Sequence, residues 1–280
     1  MATKSEYRKD EVEAALSVML ELMTLLGEYR VHVVVVGGWV PYLLIPGKKK
    51  EHIGSLDVDV ALNFEKIPDD GYRTILQLLK ERGYEQADQP FTFHRTIEID
   101  DGKPVTVEVN FLAGEYRGAG PGHRTQRVQD IRARKARGCD LAFQDPVPVK
   151  VEGVLPDGAK SEVTIKVPNV VPFIVMKGMA LWDRYKEKDP YDIYFTIANF
   201  PEGKEGLIGA FRPFLDNKLV QEGLGKIRAK FKDVDAPGPV WIARFMELED
   251  KEEEEIVKRR AFETVNALLD ALEIEPFEES

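Results

Sequence analysis

The stretch LDVDVALN, Leu56 to Asn63, decides how the rest of the chain is read. Apolar and acidic residues alternate through it. Side chains two apart on a strand point to the same face. A strand here therefore sets Asp57 beside Asp59, with Leu56, Val58 and Val60 on the opposite face. Two like charges held side by side in a partly apolar setting are costly unless a cation neutralises them. Mg2+, or Mn2+ in its place, suits carboxylate and phosphate oxygens together. The plain alternative is an edge strand whose acids face water.

A second strand offers a third acid. In VTVEVNFL, Val105, Val107, Val109 and Phe111 fall on one face, and Thr106, Glu108 and Asn110 on the other. If the two strands are neighbours, Asp57, Asp59 and Glu108 converge as a metal-binding triad suited to phosphoryl displacement. Upstream, VHVVVV from Val31 to Val36 reads as a buried strand. It ends at Gly37-Gly38, before a short helix expected over Trp39 to Ile45. Glycines there let a phosphate approach the backbone, and a helix start supplies N–H groups. An ordinary strand-to-helix turn has the same residues. Neither GxxxxGK[ST] nor GxGxxG occurs, so those nucleotide-binding folds are unsupported.

Residues 8–29 carry apolar positions at three- and four-residue steps and predict an amphipathic helix. Another is expected from Asp70 to Arg82, closed by Gly83. Strands Phe91 to Ile99 and Val105 to Leu112 are joined by Asp100, Asp101 and Gly102 as a hairpin turn. Further short strands flank Pro156-Asp157-Gly158. Beyond Pro168 the pattern is helical, with a loop at Asp233 to Pro239. The expected class is α/β (α+β): a mixed sheet with flanking helices over residues 1–168, then a mostly helical domain over residues 169–280 that completes a cleft.

Composition narrows the class further. At 280 residues and 43% apolar content the chain can bury a core without staples. Its single cysteine, Cys139, rules out an internal disulfide and suits a reducing compartment. No motif surrounds Cys139, which reads as an incidental thiol. The N-terminal MATKSEYRKDEVEAAL has acids where a signal peptide needs an apolar core, and the apolar runs are too short for a membrane span. A cytoplasmic location is expected. The formal net charge of -10 argues against a uniformly basic nucleic-acid-coating surface. His32, His52, His94 and His123 lack zinc-type spacing.

Against that acidic background, Arg117 to Arg137 holds seven basic residues: Arg117, Arg124, Arg127, Arg132, Arg134, Lys135 and Arg137. Such a cluster can contact phosphate, as in RNA. It can equally be a solvated basic helix paired to the acidic remainder. Downstream, Lys177 interrupts the apolar helix Phe173 to Trp182, so its ammonium must reach water or meet an anion. Arg184 follows seven residues on, then KDPYDIYF with Asp189 and Asp192. Asp189 before Pro190 also suits a helix N-cap.

A strand ending in Gly37-Gly38, a helix, then Ser55-x-Asp57-x-Asp59 resembles the nucleotidyltransferase superfamily of DNA polymerase β type. Lys177, Arg184 and the Lys-Asp-x-x-Asp pattern make it most similar to AbiEii/AbiGii-type nucleotidyltransferases, many of them toxins of toxin–antitoxin pairs. That family often has a basic residue two positions before the serine, where this chain has Ile53 beside His52. The resemblance implies Mg2+-dependent transfer of a nucleoside monophosphate from an NTP to an acceptor hydroxyl, on RNA such as tRNA, on protein or on a small molecule. It implies metal ligands Asp57, Asp59 and Glu108, nucleotide contacts from Gly37, Gly38, Ser55, Lys177, Arg184 and Asp192, with Lys177 at the phosphate or the reacting group and Asp189 and Asp192 organising the cleft, and an antitoxin partner. The competing reading is a degenerate module of the same fold that binds nucleotide or RNA without turnover.

Overall fold

The computed structural model describes residues 3–48, 51–67, 73–99, 102–115 and 125–279. The chain groups into two compact units. One comprises Arg8–Leu44 and Gly54–Asn169, the other Met1–Tyr7, Ile45–Ile53 and Val170–Ser280. The second unit thus takes in short N-terminal segments as well as the helical C-terminal part of the chain.

The first unit opens with α1 (Lys9–Leu25), β1 (Val33–Val36), the short helix α2 (Val40–Leu44) and β2 (Asp57–Leu62). It continues through α3 (Ile75–Glu81), β3 (Glu85–Gln86), β4 (Thr92–Glu98), β5 (Pro104–Ala113), β6 (Thr125–Val128) and β7 (Ile131–Lys135). The hairpin β8 (Val147–Val154) and β9 (Lys160–Val167) ends it. The main sheet runs β1-β2-β5-β4-β3, with β7 pairing β5 and β6 pairing β7. β1 is antiparallel to β2, β2 parallel to β5, and β4 antiparallel to β5, so the sheet is mixed. β8 and β9 form a separate two-stranded sheet.

Alternation builds the core. Val33, Val35, Val58, Val60, Val107, Val109 and Phe111 turn to one face and are buried with Val18, Leu22 and Leu26. Glu21, inside that helix face, is satisfied by a two-pronged ion pair to Arg95 at 2.9 and 3.0 Å. α3 begins where Thr74 and Gln77 exchange capping bonds and closes before Gly83, at φ 75°. Residues 68–72, part of the helix expected from Asp70, lie outside the described residues, as do Asp100 and Asp101 of the hairpin turn.

One expectation is corrected. The described part of the basic stretch is a hairpin, β6 with β7, not a helix. Val128, Ile131 and Ala133 are buried while Arg127, Arg132 and Arg134 are exposed. That period of two is strand chemistry, which the density of arginine obscures. Arg117, Arg124 and His123 lie outside the described residues. A smaller correction concerns Asp233 to Pro239: the loop is shorter, because Pro237 already opens a helix at its first turn.

The second unit contains α4 (Val170–Asp183), α5 (Lys188–Asn199), α6 (Gly203–Phe211), α7 (Lys218–Lys230), α8 (Pro237–Phe245) and α9 (Lys251–Ala271). α4 and α7 approach unusually closely. A Cβ at Gly178 would lie 2.3 Å from the Gly223 carbonyl oxygen, and one at Gly223 would lie 2.9 Å from the Val175 carbonyl oxygen. Backbone cannot swing aside as a side chain can. Among the described residues no helix is long and apolar enough to cross a membrane.

This crossing gives a test of opposite signs. Gly178→Ala is expected to destabilise the protein by about 1–3 kcal/mol through overpacking. Gly209→Ala, on α6 with open space around its Cβ, should stabilise by up to about 1 kcal/mol through helix propensity. Denaturant unfolding of both variants checks it; equal effects would contradict the close crossing.

Candidate functional site

The acids sit where two strands run parallel. In β2 against β5, Asp57 is level with Glu108 and Asp59 with Asn110. Because Val58, Val60, Val107 and Val109 are buried in the core, all four polar residues share the other face. Asp57 and Asp59 are half-buried, and Glu108 is exposed. Ser55 donates its hydroxyl to Asp57 Oδ1 at 2.5 Å, and Trp39 Nε1 donates to the Asp57 carbonyl at 2.9 Å. The first acid is thus fixed at side chain and backbone.

Gly37 explains the second. It has φ 72°, and a Cβ placed there would lie 2.2 Å from Asp59 Oδ2. Both the left-handed backbone and the close carboxylate require glycine. Gly37 to Trp39 form a 3-10 turn that runs into α2, so the expected helix after the glycines is a tight turn and about one turn of α-helix. Gly38 is buried within it.

Glu108 shares the face, but its carboxylate accepts from Asn110 Nδ2 at 2.8 Å, and Asn110 Oδ1 accepts from Thr92 Oγ1 at 2.7 Å. Among the described residues no group of three or more His, Cys, Asp or Glu side chains is gathered to hold a metal ion. The donor chemistry of Asp57 and Asp59 fits a hard divalent cation. Glu108 would join them only by exchanging its bond to Asn110, an exposed bond that costs about 1 kcal/mol to give up.

Register places further groups on this face that spacing alone does not reveal. His94 pairs with Glu108, Arg134 with Leu112, and Arg127 with Arg132. Arg127, Arg132 and Arg134 therefore line the same sheet face as the acids. Long-range pairing decides this, and no local motif carries it. Cys139 is fully buried, and burial pushes its thiol well above the usual range, so it is no nucleophile.

Lys177, Arg184, Asp189 and Asp192 meet in the helical unit. Lys177 Nζ donates to Asp189 Oδ1 at 2.8 Å and to Asp192 Oδ2 at 2.7 Å. Lys188 Nζ donates to both Asp192 oxygens at 2.8 and 2.9 Å, and Arg184 grips Asp189 with two bonds at 2.8 and 3.1 Å. Lys177 is 5% exposed and Asp192 0%. Burial acts against each charge, yet the neighbouring opposite charges win: Lys177 titrates above the ordinary lysine range, Asp189 and Asp192 below that of carboxylates. Burial lowers the His52 pKa, so its neutral ring donates from Nε2 to Asp192 Oδ1 at 3.0 Å.

This changes the expectation for three residues. Lys177 does not project toward solvent as a phosphate ligand; its ammonium is engaged by two carboxylates. Asp192, expected among the nucleotide contacts, is fully buried and accepts from Lys177 and Lys188. Asp189 is not an N-cap: that position is Glu187, and the Asp189 carboxylate turns to Lys177 and Arg184. Arg184, with 43% of its side chain exposed, is the member that reaches water. His52 and Lys188 belong to the network; Lys188 lies four residues before Asp192 on α5, a spacing the sequence shows, whereas no spacing signals His52.

No protein-family model matches the chain, and no curated protein matches it. Among solved structures it is similar to a candidate nucleotidyltransferase from H. pylori, with 13% identity and a TM-score of 0.44 over 95% of this chain and 98% of that one. It is also similar to an antigenic nucleotidyltransferase-like protein from Paracoccidioides brasiliensis, with 17% identity and a TM-score of 0.43 over 82% and 93%. At this distance the likenesses carry no argument about activity.

The buried network yields a pH prediction. Asp189 and Asp192 contribute stability fully above about pH 4, lost as pH falls through their lowered folded values. His52 adds a loss beginning below about pH 6.5, where the unfolded chain takes up a proton that the folded one refuses. Lys177, with a raised pKa, contributes below about pH 10.4 and loses its share as pH rises past its folded value. Denaturant midpoints should fall from about pH 6.5 downward, and His52→Gln should lessen the fall between about pH 6.5 and 5. Lys177→Met should cost about 3 kcal/mol by stripping buried carboxylates of a partner. A Lys177→Met protein as stable as the parent would refute the hub.

Proposed function

We propose that this chain is a nucleotidyltransferase of DNA polymerase β type, moving a nucleoside monophosphate from an NTP to an acceptor hydroxyl. The observation that carries this reading is the parallel register setting Asp57 level with Glu108, with Asp59 on the same face against the Gly37 backbone. Asp57 and Asp59 would hold Mg2+ or Mn2+, with Glu108 as third ligand. Bound there, the metal supplies charge neutralisation for the triphosphate.

The chain's own groups do the rest by position and charge. The backbone at Gly37 and Gly38 and the Ser55 hydroxyl would line the triphosphate. Glu108 would take the proton of the acceptor hydroxyl. That oxygen then bonds to the α-phosphorus as the bond from the α-phosphorus to the β-bridging oxygen breaks, and pyrophosphate leaves. Arg184 would meet phosphate, with Lys177, Asp189 and Asp192 as positioning residues. Arg127, Arg132 and Arg134, on the face of the acids, would receive an RNA acceptor such as tRNA. The AbiEii/AbiGii-type motifs extend the proposal to a cytoplasmic toxin with a partner antitoxin.

One observation favours a second reading. Glu108 is engaged by Asn110, as in a degenerate module that binds nucleotide or RNA without turnover. Metal dependence separates the two: a catalyst needs Mg2+ or Mn2+, and a binding module transfers nothing with either.

The direct experiment incubates protein with each labelled NTP, Mg2+ and total RNA and follows the label. Asp57→Asn should abolish transfer, because a metal ligand loses its charge, while Ser55 can still donate to the amide oxygen. Without metal the variant should be at least as stable as the parent, since a like-charge penalty is relieved. Transfer at the parental rate by a folded Asp57→Asn protein would end the reading.

A separate expectation concerns acceptor binding. Reversing Arg127, Arg132 and Arg134 to Glu should weaken RNA binding and flatten its dependence on salt, the slope falling by about 1 for each phosphate no longer neutralised. Filter binding across a salt series checks this; an unchanged slope would assign the arginines to ordinary surface.

A further inference from the structure

The helical unit carries an aromatic cluster that neither the acidic face nor the Lys177 network uses. Lys230 Nζ lies 4.9 Å from the ring centre of Trp182, 5.8 Å from Tyr185 and 6.0 Å from Trp241. Tyr185 meets Trp241 edge to face at 5.4 Å. The four residues come from the end of α4, the α4–α5 connection, the end of α7, and α8. Both tryptophans are part-buried, whereas Tyr185 is 85% exposed. Exposed aromatic surface gathered from several elements marks a binding site more often than chance scatter.

The cluster's chemistry narrows the ligand. A cage of aromatic rings commonly takes a cation, but here the protein's own ammonium fills that position. A cationic ligand would meet a like charge. A ligand with its own π-face and a negative charge would stack on a ring and pair with Lys230. A nucleobase with its phosphate has both features, and stacking on aromatic side chains beside cations is how single strands are held. Arg184 immediately precedes Tyr185, and Asp189 orients its guanidinium.

We propose that Tyr185, Trp241, Trp182 and Lys230 form a stacking platform for single-stranded nucleic acid. This names the acceptor class of the proposed transferase and rests on that reading for its purpose alone. Binding is measured without NTP or divalent metal, so a failure of transfer leaves it standing. Lys230 is the one cation among these four residues, so the quenching that reports binding at this platform should depend only weakly on salt, with a log–log slope of about 0.7 for a single neutralised phosphate.

The test uses the full chain and a labelled, unstructured oligoribonucleotide of about ten nucleotides. Anisotropy gives the affinity, and tryptophan emission reports the site. Trp39, the remaining tryptophan, is 1% exposed and shielded from quenching. The oligonucleotide should quench the emission. Tyr185→Ala should weaken binding about tenfold, the loss of one stacked base, with the fold retained because the ring is 85% exposed. Lys230→Gln should weaken it as well. Parental affinity in Tyr185→Ala, binding without quenching, no binding by the parent, or equal affinity for a free mononucleotide would each overturn the platform.

Discussion

The parallel hydrogen-bond ladder between β2 and β5 decides which side chains share the acidic face. A shift of one residue would turn Glu108 into the core and Val109 out beside Asp57. The shift is prevented by what lies behind the sheet, where Val58, Val60, Val107, Val109 and Phe111 pack beneath α1. Apolar burial on one face thus holds carboxylates together on the other, against their mutual repulsion. The Gly37 turn then brings backbone against Asp59, an approach closed to any residue with a Cβ.

The helical unit solves a different problem with similar means. Two lysines and an arginine surround two buried aspartates; desolvation opposes the charges of Lys177, Asp189 and Asp192, and their neighbours sustain them. Such a network adds little net stability over an apolar core, yet removing one member leaves a buried charge exposed to the full penalty. Its consequence is orientation: Asp189 fixes Arg184, whose side chain reaches solvent. Lys177 is held by two carboxylates, while Arg184 keeps 43% of its side chain exposed.

Much of the acidic face was legible in sequence because its signal is local. Strict alternation in LDVDVALN and VTVEVNFL assigned faces, and the structure shows those faces in register. The rest depends on distant pairing. That Arg127, Arg132 and Arg134 share the face of Asp57 follows from β7 joining β5, which no window of residues contains. Their alternation was masked by charge density, so a strand hairpin resembled a basic helix. His52 stood in a loop with no motif, and only folding brings it to Asp192, 140 positions away in sequence. Lys177 was visible as an anomaly in an apolar helix; which anion it meets was not.

A crystal grown with Mn2+ and a non-hydrolysable NTP, examined for anomalous scattering, addresses the acidic face without reference to turnover. The account predicts a manganese peak bound by Asp57 and Asp59, with Glu108 turned from Asn110 toward it and the triphosphate beside Gly37 and Gly38. A peak elsewhere, or none with the nucleotide bound, would contradict it.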